Sequence, residues 1–376
     1  MNNYSSLEVF IDSGKVGTLA LTREKTVAFQ YDADWLRHGF SISPFSLPLR
    51  QQVFMPKYDP FDCLFGAFAD SLPDGWGKLL VDRLLLREGE DPHAIDSLNR
   101  LAIVGESGMG ALRYRPTNDL PTSQLVHDYD RLASECKLLL QTDTSDDLDE
   151  LFLLGGSSGG ARPKILTEID GEQWIVKFPS SIDRDDIGLT EYRYSQCAKA
   201  CGVEMSETRL FASKQSAGYF GTKRFDRKLN ENGTSERIHM LSVGALLETS
   251  HRIPNLDYNK LMKLTLMLTK DFSEVEKLYR LMCFNVFAHN RDDHAKNFSF
   301  LFDRNQQIWR LAPAYDLTYS NSIGGEHSTC INGNGRDPGI EDILAVANEV
   351  KLNKDKAWRI AKEIEEIVRV ELGNLK

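Results

Sequence analysis

The chain has 376 residues, 41% of them hydrophobic and 27% charged, with 27 glycines; this is the balance of a globular chain with material for two or three packed units, and it excludes a disordered or collagen-like polymer. Acidic groups outnumber basic ones by 55 to 45, a net charge of −10, which argues against a bare basic nucleic-acid surface and leaves room for a local basic patch or a DNA-binding partner. No apolar run approaches the ~20 residues of a membrane helix, and residues 1–6 hold neither a charged nor an apolar signal region, so no membrane contact and a cytoplasmic location are expected.

Alternating apolar residues predict strands over residues 7–11, 16–21 and 27–31, the first two joined by the turn signal Asp12-Ser13-Gly14-Lys15. Residues 43–49, with Pro44 and Pro48, are expected to be extended, because proline disfavours helix at the residue before it. From residue 61 to 87 the pattern is helical, broken at Leu72-Pro73-Asp74-Gly75, with Leu79, Leu80, Leu84 and Leu85 on one face. The glycines of 105–110 precede a short strand ending at Arg115-Pro116 rather than a helix, so they read as a structural turn. Residues 1–116 thus form one α+β unit, closed by a polar, proline-bearing boundary at 116–123.

A helix is expected over residues 124–141, then an acidic stretch at 143–150 and the run Gly155-Gly156-Ser157-Ser158-Gly159-Gly160-Ala161-Arg162-Pro163-Lys164. By composition that run fits a flexible linker. It also fits a loop whose glycines let backbone N–H groups close on phosphate, and its place just before a hairpin (164–168, 174–178) carrying Lys177 favours this role. It lacks the GK[ST] ending of a Walker loop. Helical patterns dominate beyond residue 260, broken by a polar cluster at 289–297, and 355–372 is an amphipathic helix. The six cysteines form no CxxC pair and read as reduced, partly buried thiols.

The polar cluster lies between an apolar helix and an apolar strand. Asp292 and Asn297 have the D-x-x-x-x-N spacing of kinase catalytic loops, where the Asp accepts the attacking hydroxyl's proton and the Asn oxygen holds magnesium. Taken alone, two residues at that spacing fit a solvated turn better, because so short a pattern recurs often by chance. Asp316 follows at the end of the next strand, where its carboxylate could join Asn297 on one hard cation or simply stabilise a turn. Upstream, Lys177 sits in an apolar strand and Glu191 in a following helix, the order of the lysine and glutamate that pair in kinases. His289 and His294 read as loop-packing residues rather than proton carriers, since kinases depend on positioning more than on acid catalysis.

With Asp293-His294-Ala295-Lys296-Asn297-Phe298-Ser299, Ala314-Tyr315-Asp316, Arg224-Phe225-Asp226-Arg227, Leu72-Pro73-Asp74 and 105–112 in place, the chain resembles the HipA-type serine/threonine-protein kinases, the toxins of bacterial toxin–antitoxin modules. The resemblance implies a two-lobed, protein-kinase-like α+β fold with an additional N-terminal α+β subdomain (1–116) and a kinase domain (124–376). Its nucleotide-binding lobe would span about 150–230 and its mostly helical catalytic lobe about 240–376. It implies Asp292 as catalytic base and Asn297 and Asp316 as Mg²⁺ ligands. ATP would be bound by Ser158, Gly159, Gly160, Ala161, Lys164, Lys177, Lys223, Phe225 and Lys296, with Glu191 as the helix partner of Lys177. Ser157 would be the autophosphorylated serine whose modification ejects the loop. The cofactors implied are ATP and Mg²⁺. The partners are a HipB-like helix-turn-helix antitoxin, DNA only through that antitoxin, and a protein substrate such as an aminoacyl-tRNA synthetase. The sequence departs from the best-known pattern at Asp293, which replaces a glycine, and at Arg162-Pro163, which replace a Gln-Glu pair. A small-molecule phosphotransferase and a catalytically silent, partner-dependent transcriptional regulator are the rival readings.

Overall fold

The computed structural model describes residues 2–118, 128–142, 147–230, 232–322 and 324–373. Residues 119–127 and 143–146, which include part of the expected boundary, helix and acidic stretch, lie outside them. The chain divides into two compact units, Met1–Gly188 with Phe211–Thr249 and Leu189–Leu210 with Ser250–Lys376.

In the first unit, β1 (Ser6–Ile11), β2 (Gly14–Leu21), β3 (Val27–Tyr31), β4 (Val53–Phe54) and β5 (Arg113–Arg115) form an antiparallel sheet in the order β4-β3-β2-β1-β5. Leu7, Val9 and Ile11 are buried and Glu8 is exposed, as alternation requires. The first hairpin is tighter than its sequence signal. Ile11 pairs with Gly14, so only Asp12 and Ser13 turn, Asp12 at φ 51°, and Lys15 joins the strand to meet Glu8. Residues 43–49 are not extended throughout: Leu47 N donates to Ser43 O at 2.8 Å across a turn at 44–46. The proline restriction acts only on Ser43 and Leu47, the residues that pair, and leaves Phe45 and Ser46 free to turn.

Helix α1 (Ala33–His38), absent from the sequence reading, is capped by Asp32, whose side chain accepts from Asp34 N. Then come α2 (Gly66–Ala69), α3 (Gly75–Arg87), α4 (Ser97–Val104), α5 (Tyr129–Thr142) and α6 (Leu148–Gly155). Trp76 and Leu80 of α3 share a core with Leu132 and Leu139 of α5, Leu151 of α6, and Ile165 and Val176 of the hairpin β6 (Lys164–Ile169)–β7 (Glu172–Lys177). β7 also pairs antiparallel with Tyr219–Lys223.

The second unit holds most of α7 (Ile187–Ala200), the helices Tyr258–Thr269, Phe272–Phe287, Ile340–Glu349 and Lys354–Leu372, and an antiparallel hairpin of Ser299–Asp303 with Ile308–Leu311. Of Ile360, Ile364, Ile367 and Val368, expected on one face of the last helix, three are buried and Ile367 is half-buried. Buried Glu274 anchors the hairpin: its carboxylate accepts from Leu311 N at 2.8 Å and from Lys277 Nζ at 2.9 Å. All six cysteines are free thiols, five of them buried. Among the described residues no helix is long and apolar enough to cross a membrane.

Candidate active site

In the first unit the glycine-rich run leaves α6 and lies against the start of α3. Asp74, the N-cap of α3, accepts from Gly160 N rather than capping its own helix. Trp76 N donates to Gly160 O at 2.9 Å, and Trp76 Nε1 to Lys164 O at 3.1 Å. Close approach dictates the glycines on the α3 side: a Cβ on Gly75, which has φ 47°, would fall 2.3 Å from Gly160 O, and one on Gly77 would fall 2.2 Å from Ser158 O. Ser158 is buried and its hydroxyl donates to Gly155 O at 2.6 Å. Ser157 lines a cavity of about 680 Å³ together with Glu106, Arg115 and Phe152. The run is therefore a docked loop and not a flexible linker. Arg162 is held by Asp183, Nε to Oδ2 at 3.1 Å and Nη2 to Oδ1 at 3.2 Å. Burial works to raise the Asp183 carboxyl, but the Ser180 hydrogen bonds and Arg162 outweigh it and hold it below the ordinary value.

Lys164 and Lys177 stand directly opposite each other in the β6–β7 register. Like charges in that relation repel, so a nearby anion would stabilise the pair. Lys164 is buried and donates to Gly159 O, inside the loop. The Lys177 ammonium lies 5.6 Å from the centre of the Phe220 ring. Lys223, at the end of its strand, pairs with Glu172, and Arg224 N donates to Gln173 O at 2.8 Å. In the Arg224–Arg227 motif the acidic residue is structural. Asp226, 1% exposed, accepts from Arg224 (2.9 and 2.7 Å), Arg227 (2.7 Å) and Gly110 N (2.7 Å). Arg227 also donates to Gly108 O and Gly110 O, each at 3.0 Å. The 105–110 turn is thus structural, fastened by one buried carboxylate. Burial opposes the Asp226 charge, but the two guanidiniums and the Gly110 amide prevail and hold its carboxyl well below the usual range. Burial pulls Arg227 down to about 9.

In the second unit Asp292, with a side chain 55% exposed, precedes buried Asp293. Asn297 Nδ2 donates to Asp292 O at 2.6 Å, which fixes the orientation of the amide. His294 caps the short helix Ala295–Asn297, its Nδ1 accepting from Lys296 N at 3.2 Å, while its Nε2 is 4.0 Å from Asp292. Tyr315, next to Asp316, hydrogen-bonds Lys296 O at 2.5 Å and Ser299 Oγ at 2.6 Å. The preceding strand ends at Leu311, so Asp316 lies in the irregular segment beyond it and not at the strand's end as expected; the Tyr315 hydroxyl ties that segment to the Asn297 turn, and Asp316 itself takes φ 57°, a conformation that aspartate tolerates better than most residues. Glu191 is buried on α7, one turn before Tyr194, whose hydroxyl donates to Ala288 O at 3.0 Å where the loop begins. Lys177 lies in the first unit and Glu191 in the second.

An amide oxygen and a carboxylate are hard oxygen donors of the kind that suit a Mg²⁺ completing its shell with water and phosphate. Among the described residues no group of three His, Cys, Asp or Glu side chains forms a protein-only cage. Sequence reasoning missed Tyr315 and Asp74 as positioning residues; the adjacency of Tyr315 to Asp316 was the available signal for the first. Asp74→Ala is expected to free the Gly160 amide and speed its hydrogen exchange about tenfold or more, read by mass spectrometry on the peptide spanning 155–162. Unchanged exchange there would remove Asp74 as the loop's anchor.

Two family models match the chain: the HipA-like C-terminal domain over residues 156–371 and the HipA N-terminal domain over residues 7–115. A Sinorhizobium fredii (strain NBRC 101917 / NGR234) protein named "Putative kinase Y4mE" is 25% identical over 346 residues, covering 83% of this chain and 76% of that protein. Among solved structures, the HipA chain of the Shewanella oneidensis MR-1 complex of HipA, HipB and operator DNA superposes with a TM-score of 0.72 at 16% identity, covering 98% of this chain and 90% of that one. At that identity the likeness shows the fold, and the fold is the same mixed α+β architecture.

Proposed function

This chain belongs to the HipA family of kinase toxins, and on that premise we propose that it is an ATP- and Mg²⁺-dependent protein kinase that phosphorylates serine or threonine. Asp292 would accept the proton of the attacking hydroxyl as its oxygen bonds to the γ-phosphorus and the bond to the β–γ bridging oxygen breaks, releasing ADP. Asn297 and Asp316 would hold the magnesium, which when bound neutralises phosphate charge. Lys164 and Lys177 would face the phosphates, Ser158, Gly159, Gly160 and Ala161 would line them, and Lys223 and Phe225 would flank the base. The observation that carries the reading is the hydrogen bond from Asn297 to the Asp292 carbonyl, which holds the two residues in one turn, as a base and a metal ligand acting together would need.

The partner we propose is a HipB-like helix-turn-helix antitoxin, with DNA reached only through it, which suits a net charge of −10. The target would be a cytoplasmic protein such as an aminoacyl-tRNA synthetase. Ser157 and Ser158 are both buried; autophosphorylation is assigned to Ser157, which lines the cavity, since the Ser158 hydroxyl is engaged by Gly155 O. After incubation with ATP and Mg²⁺, mass spectrometry should find one phosphate on Ser157. Ser157→Ala should lose it and Ser158→Ala should keep it; phosphate retained in Ser157→Ala would refute that assignment.

A further inference from the structure

Two adjacent aspartates point in opposite directions. Asp292 is half-exposed, whereas the Asp293 side chain is fully buried, accepting from Tyr258 OH at 3.1 Å and Thr329 N at 3.1 Å and lying 3.0 Å from His327 Nδ1. Tyr258 is fixed in turn by Asn285 Nδ2 at 2.9 Å, and Asn285 Oδ1 accepts from Asn290 Nδ2 at 2.9 Å. The network therefore begins and ends on the loop that carries Asp292.

Its other partners lie on the stretch that follows Asp316. Thr329 Oγ1 donates to Asp293 O at 2.5 Å, Ser328 N to Arg291 O at 3.0 Å, and Ser320 N to His289 O at 3.0 Å. Arg291 reaches across to two carbonyl oxygens, Gly325 O at 2.7 Å and Arg336 O at 3.1 Å. In many kinases the stretch after the metal-binding Asp is ordered only when a phosphorylated side chain meets an arginine beside the catalytic Asp. Here the arginine preceding Asp292 is already engaged by main-chain carbonyls, and a buried Asp–His pair closes the other edge. The network thus joins these two segments directly and braces the Asp292 loop through Tyr258 and Asn285 of the two preceding helices.

We propose that Asp293 and His327 are positioning residues that hold residues 318–322 and 324–330 folded onto the Asp292 loop, so that this half of the site is assembled without phosphorylation of that stretch. The proposal rests on the kinase reading for its catalytic consequence and on geometry alone for the clamp. Asp293 explains its own departure from glycine: its carboxylate is a structural acceptor turned away from the reacting groups.

The test measures the autophosphorylation rate with radiolabelled ATP at varied ATP concentration, and hydrogen exchange at Ser328 and Thr329. His327→Ala should lower the maximal rate about 100-fold, as a small misplacement of a catalytic group does, with half-saturating ATP changed less than about threefold. Exchange at Thr329 should speed in parallel. His327→Asn, whose amide can occupy the Nδ1 position, should restore both. Thr329→Val keeps its shape and loses one hydrogen bond, so it serves if His327→Ala fails to fold; about a tenfold lower rate is expected. Wild-type rate and exchange in His327→Ala would overturn the proposal, as would phosphate on Ser320, Ser322, Ser328 or Thr329 whose removal by phosphatase abolishes activity. A wild type that protects Thr329 yet transfers no phosphate would refute the kinase reading and leave the clamp standing.

Discussion

Asp292→Ala is expected to lower phosphoryl transfer about a thousandfold while leaving the fold intact. A positioned proton acceptor contributes about 10²–10⁴-fold, and in phosphoryl transfer most of what the protein supplies is position and charge. The Asp292 side chain is 55% exposed, so its removal leaves no buried charge behind, and the carbonyl that receives the Asn297 amide remains in the alanine variant. Stability should change by less than about 0.5 kcal/mol. Asp292→Asn should fail almost as badly, because it keeps the shape and loses the basicity. The measurement is radiolabel transfer from ATP, paired with thermal unfolding. Transfer at the wild-type rate in either variant would sink the assignment of Asp292 as base.

Asp226→Ala is expected to act in the opposite way, on stability rather than on chemistry. One carboxylate, 1% exposed, compensates Arg224 and Arg227 and receives the Gly110 amide. Without it two guanidiniums are left in a site that has already pulled Arg227 down to about 9. Breaking a buried ion pair from one side costs about 3–5 kcal/mol, enough to move a urea midpoint well outside error. The pH dependence follows from the depressed carboxyl. Its contribution is present above the unfolded value of about 3.9 and is lost as pH falls through the lower folded value. Wild-type stability should therefore fall in acid below about pH 4 more steeply than that of Asp226→Ala. A variant with an unchanged urea midpoint would show that Asp226 does not hold the 105–110 turn.

Local pattern revealed those features whose causes are local. Alternation located β1 to β3, the leucine stripe located α3, and the five-residue spacing of Asp292 and Asn297 reflects one turn in which the two are bonded. What stayed hidden was set by distant partners. Asp74 reads only as part of a break in a helical pattern until Gly160, 86 residues later, donates to its carboxylate. Asp293 reads as a surplus charge until His327 and Thr329 arrive. The proline segment failed for a different reason: a rule about two residues was extended to their neighbours, which turned.

The first unit is discontinuous, for the chain leaves it at Gly188 and returns at Phe211. A chain emerges from the ribosome N-terminal end first at about 5–20 residues per second, yet β7 must wait for Tyr219–Lys223 to complete its pairing, and the 105–110 turn must wait for Asp226. The unit that carries the glycine-rich loop is therefore finished only after more than half of the protein has been synthesised. Its late closure places the ribosome itself among the factors that set when a newly made chain completes this unit.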